Sequence, residues 1–399
     1  MSSPLAGVRV LDLTNVLAGP FCCHQLAHLG AEVIKVEVPE RGDLARQLGA
    51  DADLNARLMG VSFLAQNAGK KSVTLNLKDA RGKNLFRRLV ATADVVVENF
   101  RPGVMDRLGV GYETLKADRS GLIYCAISGF GQDGPLRDLP AYDQIIQGMS
   151  GVMSITGDRD TAPYRVGYPL CDTIGGLTAA MAISAALAAP PDRRGTMIDV
   201  SMLEATLATM GWAVSNLLVA GVTPQANGNE NVTSAPSGTF RTGDGLLNIA
   251  ANKQEQWEIL CRHLGRADLL ERPEYRSRAD RIRHRLALKA ELEDTLRTHP
   301  AEDWAADLNR LGVPAGPVLT VAAALAHPQV AERGMLATFD EVPGAGRGAT
   351  LVRTGFKLDG APPTVETPPP RLGQDNDTVW GGLGLSSDDL DNLRKEGVL

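Results

Sequence analysis

Several features are missing from this sequence, and each absence removes a class of protein. The five cysteines, at positions 22, 23, 125, 171 and 261, are odd in number and form no CxxC pair. No secretory disulfide framework is expected, and the pattern suits a reducing cytoplasm. Basic residues do not gather into a stripe, and the net charge of −6 argues against nucleic-acid binding. Small molecules are the expected partners. The N-terminus, Met1-Ser2-Ser3-Pro4-Leu5-Ala6-Gly7, lacks the basic and then apolar layout of a signal peptide, so cytoplasmic localisation is expected. The most apolar stretch, Thr173 to Ala189, is marginal against the roughly 20 residues of a membrane span and is rich in Ala, Gly and Thr, so it reads as a buried helix without a membrane partner.

Metal and histidine chemistry are equally thin. His24 and His28 stand four apart on a predicted helix, yet Gln25-Leu26-Ala27 between them lacks the glutamate of HExxH, so no metal is expected. There is no Gly-x-Ser-x-Gly elbow with triad partners. The other histidines, at 263, 284, 299 and 327, lie in segments without a catalytic look. No internal repeat is visible.

What the first half does contain is alternation of strand and helix signals. Strands are predicted at Val8 to Leu13, Glu32 to Val38, Ser72 to Leu77, Asp94 to Glu98 and Leu122 to Ser128. A helix opens at Gly19-Pro20 and is closed by Gly30, and another covers Ala80 to Thr92. This punctuation implies a mostly parallel sheet covered on both faces. After a helix at Leu203 to Val219 the texture changes. Gly221 to Gly238 is polar and rich in Asn, Thr and Pro, and a hairpin is expected where Phe240 and Leu246 to Ala250 flank Thr242-Gly243-Asp244-Gly245. Helices dominate Lys253 to Leu311, Val313 to Val321 is extended, and Pro362 to Pro370 bridges to a C-terminal segment.

Two local motifs carry chemical interest. Gly129-Phe130-Gly131-Gln132-Asp133-Gly134 matches GxGxxG after a strand, but Pro135 follows and no acidic residue ends a further strand about 20 positions on, as a dinucleotide site needs. It is read instead as a glycine-rich loop whose backbone approaches another ligand. Asp172 stands where Tyr168-Pro169-Leu170-Cys171 gives way to Thr173-Ile174-Gly175-Gly176-Leu177 and a small-residue run, which is where a helix should begin. An aspartate at the N-cap accepts hydrogen bonds from free backbone N–H groups and feels the positive end of the helix dipole, so it is expected to be ionised at neutral pH.

Five ordered motifs place Asp172 in a larger frame: Pro4-Leu5-Ala6-Gly7-Val8-Arg9-Val10-Leu11-Asp12-Leu13-Thr14; Ala18-Gly19-Pro20; Gly30-Ala31-Glu32-Val33-Ile34-Lys35-Val36-Glu37; Val97-Glu98-Asn99-Phe100-Arg101-Pro102-Gly103; and Tyr142-Asp143. From residue 4 to about 335 the chain resembles the class III CoA-transferases, the family of formyl-CoA transferase and carnitine CoA-transferase, and it looks most like the succinyl-CoA:dicarboxylate members. The resemblance implies that Asp172 is a carboxylate nucleophile passing through aspartyl anhydride and aspartyl-CoA thioester intermediates. The coenzyme A thioester would be a substrate, with no permanently bound cofactor. The acceptor would be a short dicarboxylate such as itaconate, glutarate, citramalate or mesaconate.

The same resemblance carries CoA contacts onto Val16, Ala18, Leu75, Lys78, Asn99, Phe100 and Arg107, with Arg41 as a replacement for an arginine that many relatives hold nearer the Ile-Lys-Val-Glu strand. Leu17, Tyr142, Gly175 and Gly176 are expected at the substrate pocket, the two glycines allowing close approach and offering backbone amides to oxyanions. Leu17 stands where formyl-CoA transferase has glutamine, which argues against oxalate or formate. For a second carboxylate, Arg46, Lys70, Lys71 and Arg165 are unranked candidate anchors.

Two alternatives remain. An α-methylacyl-CoA racemase has a Gly-His-Asp string where this chain reads Ala141-Tyr142-Asp143, and tyrosine is a poor base near neutral pH. A non-catalytic CoA-binding module would not need the carboxylate of Asp172. The architecture implied is α/β: a Rossmann-like large domain built from both chain ends (1–220 and 325–399), a smaller inserted α+β domain (221–324), and an interlocked homodimer.

Overall fold

Valine and isoleucine pairs at neighbouring positions set the architecture, because successive strand residues point to opposite faces and both faces here need apolar side chains. The computed structural model describes residues 3–190 and 193–399. Six strands form one sheet: β1 (Arg9–Asp12), β2 (Glu32–Glu37), β3 (Lys70–Thr74), β4 (Val95–Glu98), β5 (Ile123–Ser128) and β6 (Thr196–Ser201). Their order is β3-β2-β1-β4-β5-β6, and every neighbouring pair is parallel.

One face packs Leu11, Ile34, Val73, Val96 and Tyr124 against Leu85, Phe86 and Leu89 of the Ala80–Val90 helix and against Trp380 and Leu390 near the C-terminus. The other packs Val10, Val33, Val95 and Ile123 against Cys22 and Leu26 of the Ala18–His28 helix and Ala179 and Ile183 of the Leu170–Leu187 helix. β1, β2, β4 and β5 therefore each contribute to two cores. The chain runs outward from β1 to β3 and then returns to β4 on the other side of β1. That reversal opens a crevice beyond the carboxyl ends of β1 and β4, the usual ligand position in an open α/β sheet.

Several elements differ from the sequence reading. β3 begins two residues before Ser72 and ends at Thr74, so the segment through Leu77 belongs to the turn beyond it. β6 was not anticipated; only its last two residues are buried, so its apolar pattern is weak. The single helix read over Leu203 to Val219 is two, Met202–Thr209 and Gly211–Ala220, bent by 75° around Met210. The Leu170–Leu187 helix is, among the described residues, the one helix long and apolar enough to cross a membrane by itself, and it packs against β5, β6 and the Ala18–His28 helix.

The chain divides into two compact units. The larger comprises residues 1–152, 165–222 and 331–399, and the smaller 153–164 and 223–330. The smaller unit has an antiparallel sheet of β7 (Ser237–Arg241), β8 (Leu246–Ala250) and β9 (Ala315–Pro317). The β7–β8 hairpin closes with the Thr242 N–H donating to the Gly245 carbonyl at 2.9 Å. Trp257, Leu292 and Leu308 fill the core beneath it. The larger unit also carries an antiparallel pair, β10 (Leu336–Phe339) with β11 (Ala349–Val352).

Candidate active site

Two adjoining pockets occupy the crevice at the strand ends, and both are built entirely from the larger unit. The outer, of about 680 Å³, has apolar walls including Leu13, Val36, Leu75, Leu77 and Leu108, with Arg41 and Lys78 exposed at its rim. Glu37 and Glu40 also line it, the first neutralised by Arg46 at 2.7 Å. The inner, of about 330 Å³, is lined by Val16, Leu17, Ala18, Asn99, Tyr142 and Asp172 among others. Asn15 and Phe100 border both, so the two cavities are neighbours along one groove.

Asp172 sits in the first turn of the Leu170–Leu187 helix, three residues inside the N-cap position expected for it. Pro169 is the N-cap and makes no side-chain capping bond. Asp143, at the start of the Asp143–Met149 helix, serves instead: its Oδ1 accepts the N–H of Cys171 at 2.8 Å and of Asp172 at 3.4 Å, and its Oδ2 accepts from Gln147 Nε2 at 2.6 Å. Burial pushes the Asp172 carboxyl up to about 7, and the neighbouring Asp143 charge adds to the shift. The helix dipole acts in the opposite direction, but with no hydrogen-bond donor on the Asp172 carboxylate among the described residues the desolvation prevails. The expectation of full ionisation at neutral pH is corrected accordingly. Such a carboxylate is half charged near pH 7 and weakly solvated, which favours nucleophilic attack once it is ionised.

The loop bearing Asn15, Val16 and Leu17 is fixed from below by buried charges. Lys35 Nζ lies 2.9 Å from Asp43 Oδ2 and donates to the Thr14 carbonyl at 2.7 Å, while Lys70 Nζ lies 2.8 Å from Asp12 Oδ2. Burial works against the Lys35 charge, but Asp12, Asp43 and Glu37 outweigh it and raise its pKa. Asp43 Oδ1 accepts the Val16 N–H at 2.9 Å, and Val16 has φ +66°, a left-handed conformation that is costly for a β-branched residue. Just past β4, Asn99 completes the clamp: its Oδ1 accepts the Asn15 N–H and its Nδ2 donates to the Asn15 carbonyl, both at 2.8 Å. Next to it, burial pushes Glu98 up to about 7 despite hydrogen bonds from the Phe100 N–H and the Tyr124 hydroxyl.

The residues singled out from sequence are therefore distributed in three ways. Val16, Leu17, Ala18, Asn99, Phe100, Tyr142 and Asp172 meet at the inner pocket, and Arg41, Leu75 and Lys78, with Phe100 again, at the outer. Arg107 lines neither pocket; it is exposed on the Val104–Leu108 helix. Gly175 and Gly176 also line neither. A Cβ on Gly176 would meet the Ala18 carbonyl oxygen at 2.5 Å and one on Gly175 would meet Met202 at 3.0 Å, so the glycines serve helix packing. Their N–H groups lie beyond the first four of the helix and belong to its internal hydrogen-bond ladder, which removes them as oxyanion donors. Ala18 and Gly19 occupy the first two positions of their own helix, where backbone N–H groups lack intrahelical partners, and Ala18 borders the Asp172 pocket.

Asp43, Asn15 and the capping role of Asp143 were not evident from sequence. Asp43 lies 27 residues from the N–H it holds, and no local motif marks it. Of the GxGxxG-like string, Gly129 borders the inner pocket, while the Gly131 N–H donates to Ser128 Oγ. His24 and His28 are buried, stacked edge to face at 4.3 Å, and bonded through Nδ1 to the Ala68 and His24 carbonyls.

Fold and crevice together define a doubly wound α/β protein with its ligand site at the switch point of the sheet. More particularly, residues 5–376 match CoA-transferase family III, and the chain belongs to that family of CoA-transferases. It is similar to the acetyl-CoA:oxalate CoA-transferase of Acetobacter aceti, with 42% identity over 84% of this chain and 85% of that one. The succinate–glutarate CoA-transferase of Agrobacterium fabrum is 36% identical over 95% of this chain and 96% of its own. Among solved structures, a CAIB/BAIF family protein from Brucella suis superimposes with a TM-score of 0.84 at 35% identity, covering 96% of this chain and 100% of that one.

Proposed function

We propose that this enzyme moves CoA from succinyl-CoA to a short dicarboxylic acid, of which itaconate, glutarate, citramalate and mesaconate are the leading candidates. The observation that carries the reading is Asp172, a half-buried carboxylate that accepts no hydrogen bond from any described residue, in a pocket contiguous with a larger groove. The groove suits a nucleotide: Leu13, Val36 and Leu75 offer apolar walls to an adenosine, and Arg41 and Lys78 offer charge to phosphates. Phe100 and Asn15, on the border, would flank the pantetheine arm. Oxalate and glutarate, named for the two relatives, are both dicarboxylates, which supports an acceptor of that class.

In the first step an Asp172 oxygen attacks the thioester carbonyl of the donor. The C–S bond breaks, CoA leaves as thiolate, and a mixed anhydride remains. The thiolate then attacks the aspartyl carbonyl, the C–O bond breaks, the donor acid leaves as carboxylate, and Asp172 becomes a CoA thioester. The acceptor carboxylate attacks that thioester and expels the thiolate, which takes the acceptor acyl group and restores the Asp172 carboxylate. No net proton is consumed. Each tetrahedral oxyanion needs donors, and the Ala18 and Gly19 N–H groups are the candidates nearest to hand.

A racemase needs a base near neutral pH at the α-carbon, and no histidine borders either pocket. Tyr142, 67% exposed, is cast as a pocket wall and hydrogen-bond donor. The partner copy is also part of this reading, as an interlocked homodimer. The test is to incubate the protein with succinyl-CoA and a pool of short mono- and dicarboxylic acids, oxalate included, and to identify each acyl-CoA by mass. A new acyl-CoA formed with equimolar succinate supports the reading, and Asp172→Ala should abolish it while CoA still binds. Full turnover by that variant excludes Asp172 from the mechanism; deuterium exchange into 2-methylacyl-CoA without transfer favours the racemase.

A further inference from the structure

The pocket around Asp172 has a deficit that a dicarboxylate exposes. Its lining includes Asn15, Asn99, Ser128 and Tyr142 but no lysine or arginine. An acid bound with one carboxylate at Asp172 would bury the other beside apolar and neutral groups, which is unfavourable unless a cation reaches in from the rim. Of the four basic residues that the sequence offers for this task, three are occupied. Arg46 is fully buried and bound twice to Glu37, at 2.7 and 2.8 Å. Lys70 is buried between Asp12 Oδ2 at 2.8 Å and the Pro20 carbonyl at 2.9 Å. Lys71 is paired with Glu32 at 2.6 Å.

Arg165 is different. Its side chain is 51% exposed and makes no hydrogen bond to any described residue, and its nearest acidic neighbour is Asp143 Oδ2 at 3.9 Å, too far for a hydrogen bond. Asp143 Oδ1 is the atom that accepts the Asp172 N–H. The guanidinium thus stands one carboxylate away from the backbone N–H of the proposed nucleophile, with its donors unused among the described residues.

We infer that Arg165 determines acceptor specificity by binding the distal carboxylate of the acid, and that it leaves its loose pairing with Asp143 to do so. The inference rests on the dicarboxylate reading above. Asp143 retains three N–H donors, from Cys171, Asp172 and Gln147, so the departure of Arg165 leaves it satisfied. A guanidinium fork matches a carboxylate in two parallel hydrogen bonds, which discriminates by geometry as well as charge. Because donor and acceptor acyl groups occupy the aspartyl anhydride in turn, one residue serves the free carboxylate of both.

The experiment compares glutarate with pentanoate, which has a methyl group in place of the second carboxylate, as acceptors for wild type, Arg165→Met and Arg165→Lys. Acetyl-CoA is the donor, so that only the acceptor carries a second carboxylate. Arg165→Met should raise KM for glutarate about 10- to 100-fold with kcat little changed, leave pentanoate unaffected or improved, and be partly rescued in Arg165→Lys. An unchanged glutarate-to-pentanoate ratio in Arg165→Met overturns the assignment, whether both acids are unaffected or both fall together. Wild-type enzyme that transfers CoA to pentanoate but to no dicarboxylate removes the reading beneath it; one that transfers to neither acid from acetyl-CoA or succinyl-CoA overturns the assignment for glutarate.

Discussion

Asp172 shows how one side chain can be legible in type and illegible in state. Its position before a run of small residues and within the family motifs marks it, but its pKa depends on burial and on Asp143, 29 positions away, and neither is written locally. The consequence is a pH profile with a definite sign. With a folded-state value of about 7, the nucleophile is protonated below that pH. The account predicts that kcat/KM falls about tenfold per unit below pH 7 and levels off above it. In Asp143→Asn the midpoint moves to lower pH but remains above the ordinary aspartate range, because burial is the larger cause. A steady-state profile from pH 5 to 9 reads both. A flat profile would mean that Asp172 is already ionised throughout, as a capped aspartate would be.

Among the elements, the Leu170–Leu187 and Ala18–His28 helices are coupled through the two glycines. Gly175-Gly176 reads in sequence as room for substrate, and in the fold it is room for a neighbouring helix. Gly176→Ala places a methyl group 2.5 Å from the Ala18 carbonyl oxygen and 3.1 Å from the Phe21 ring. Backbone cannot yield there as a flexible side chain would, so the predicted cost is about 1–3 kcal/mol in urea unfolding. Because Ala18 and Leu17 line the inner pocket, activity should fall as well. Wild-type stability in Gly176→Ala would mean that the helices separate without strain. The strands β1, β2, β4 and β5 were readable because their apolar residues point to two buried faces. β6, with only two buried residues, carried no such pattern, and the 75° bend around Met210 falls in a segment apolar throughout. The buried charges Lys35, Asp43, Asp12 and Lys70 were invisible for another reason: their partners lie on different elements and lack a fixed spacing.

For the molecule as a whole, alternation of strand and helix was sufficient to indicate a parallel sheet, and family motifs indicated the activity. The segment 153–164 is part of the smaller unit although it precedes the Leu170–Leu187 helix, and no change of texture announces it. The Gly211–Ala220 helix has no buried residue and presents Trp212, Leu218 and Val219 at 81%, 77% and 86% exposure. Apolar surface of this kind on a helix marks a contact face. The proposed homodimer predicts a dimer in sedimentation velocity that persists at nanomolar concentration, since interlocked chains cannot part without unfolding. A stable monomer peak on dilution would contradict it.

The proposed passage of CoA through a covalent bond to Asp172 is read directly by intact-protein mass spectrometry. Protein mixed with succinyl-CoA, without acceptor, and quenched in acid should gain the mass of CoA less one water, and peptide mapping should locate the adduct at Asp172. The adduct should vanish when acceptor acid is added before the quench, and it should never form in Asp172→Ala. Turnover without any adduct, or an adduct on another residue, would contradict the account.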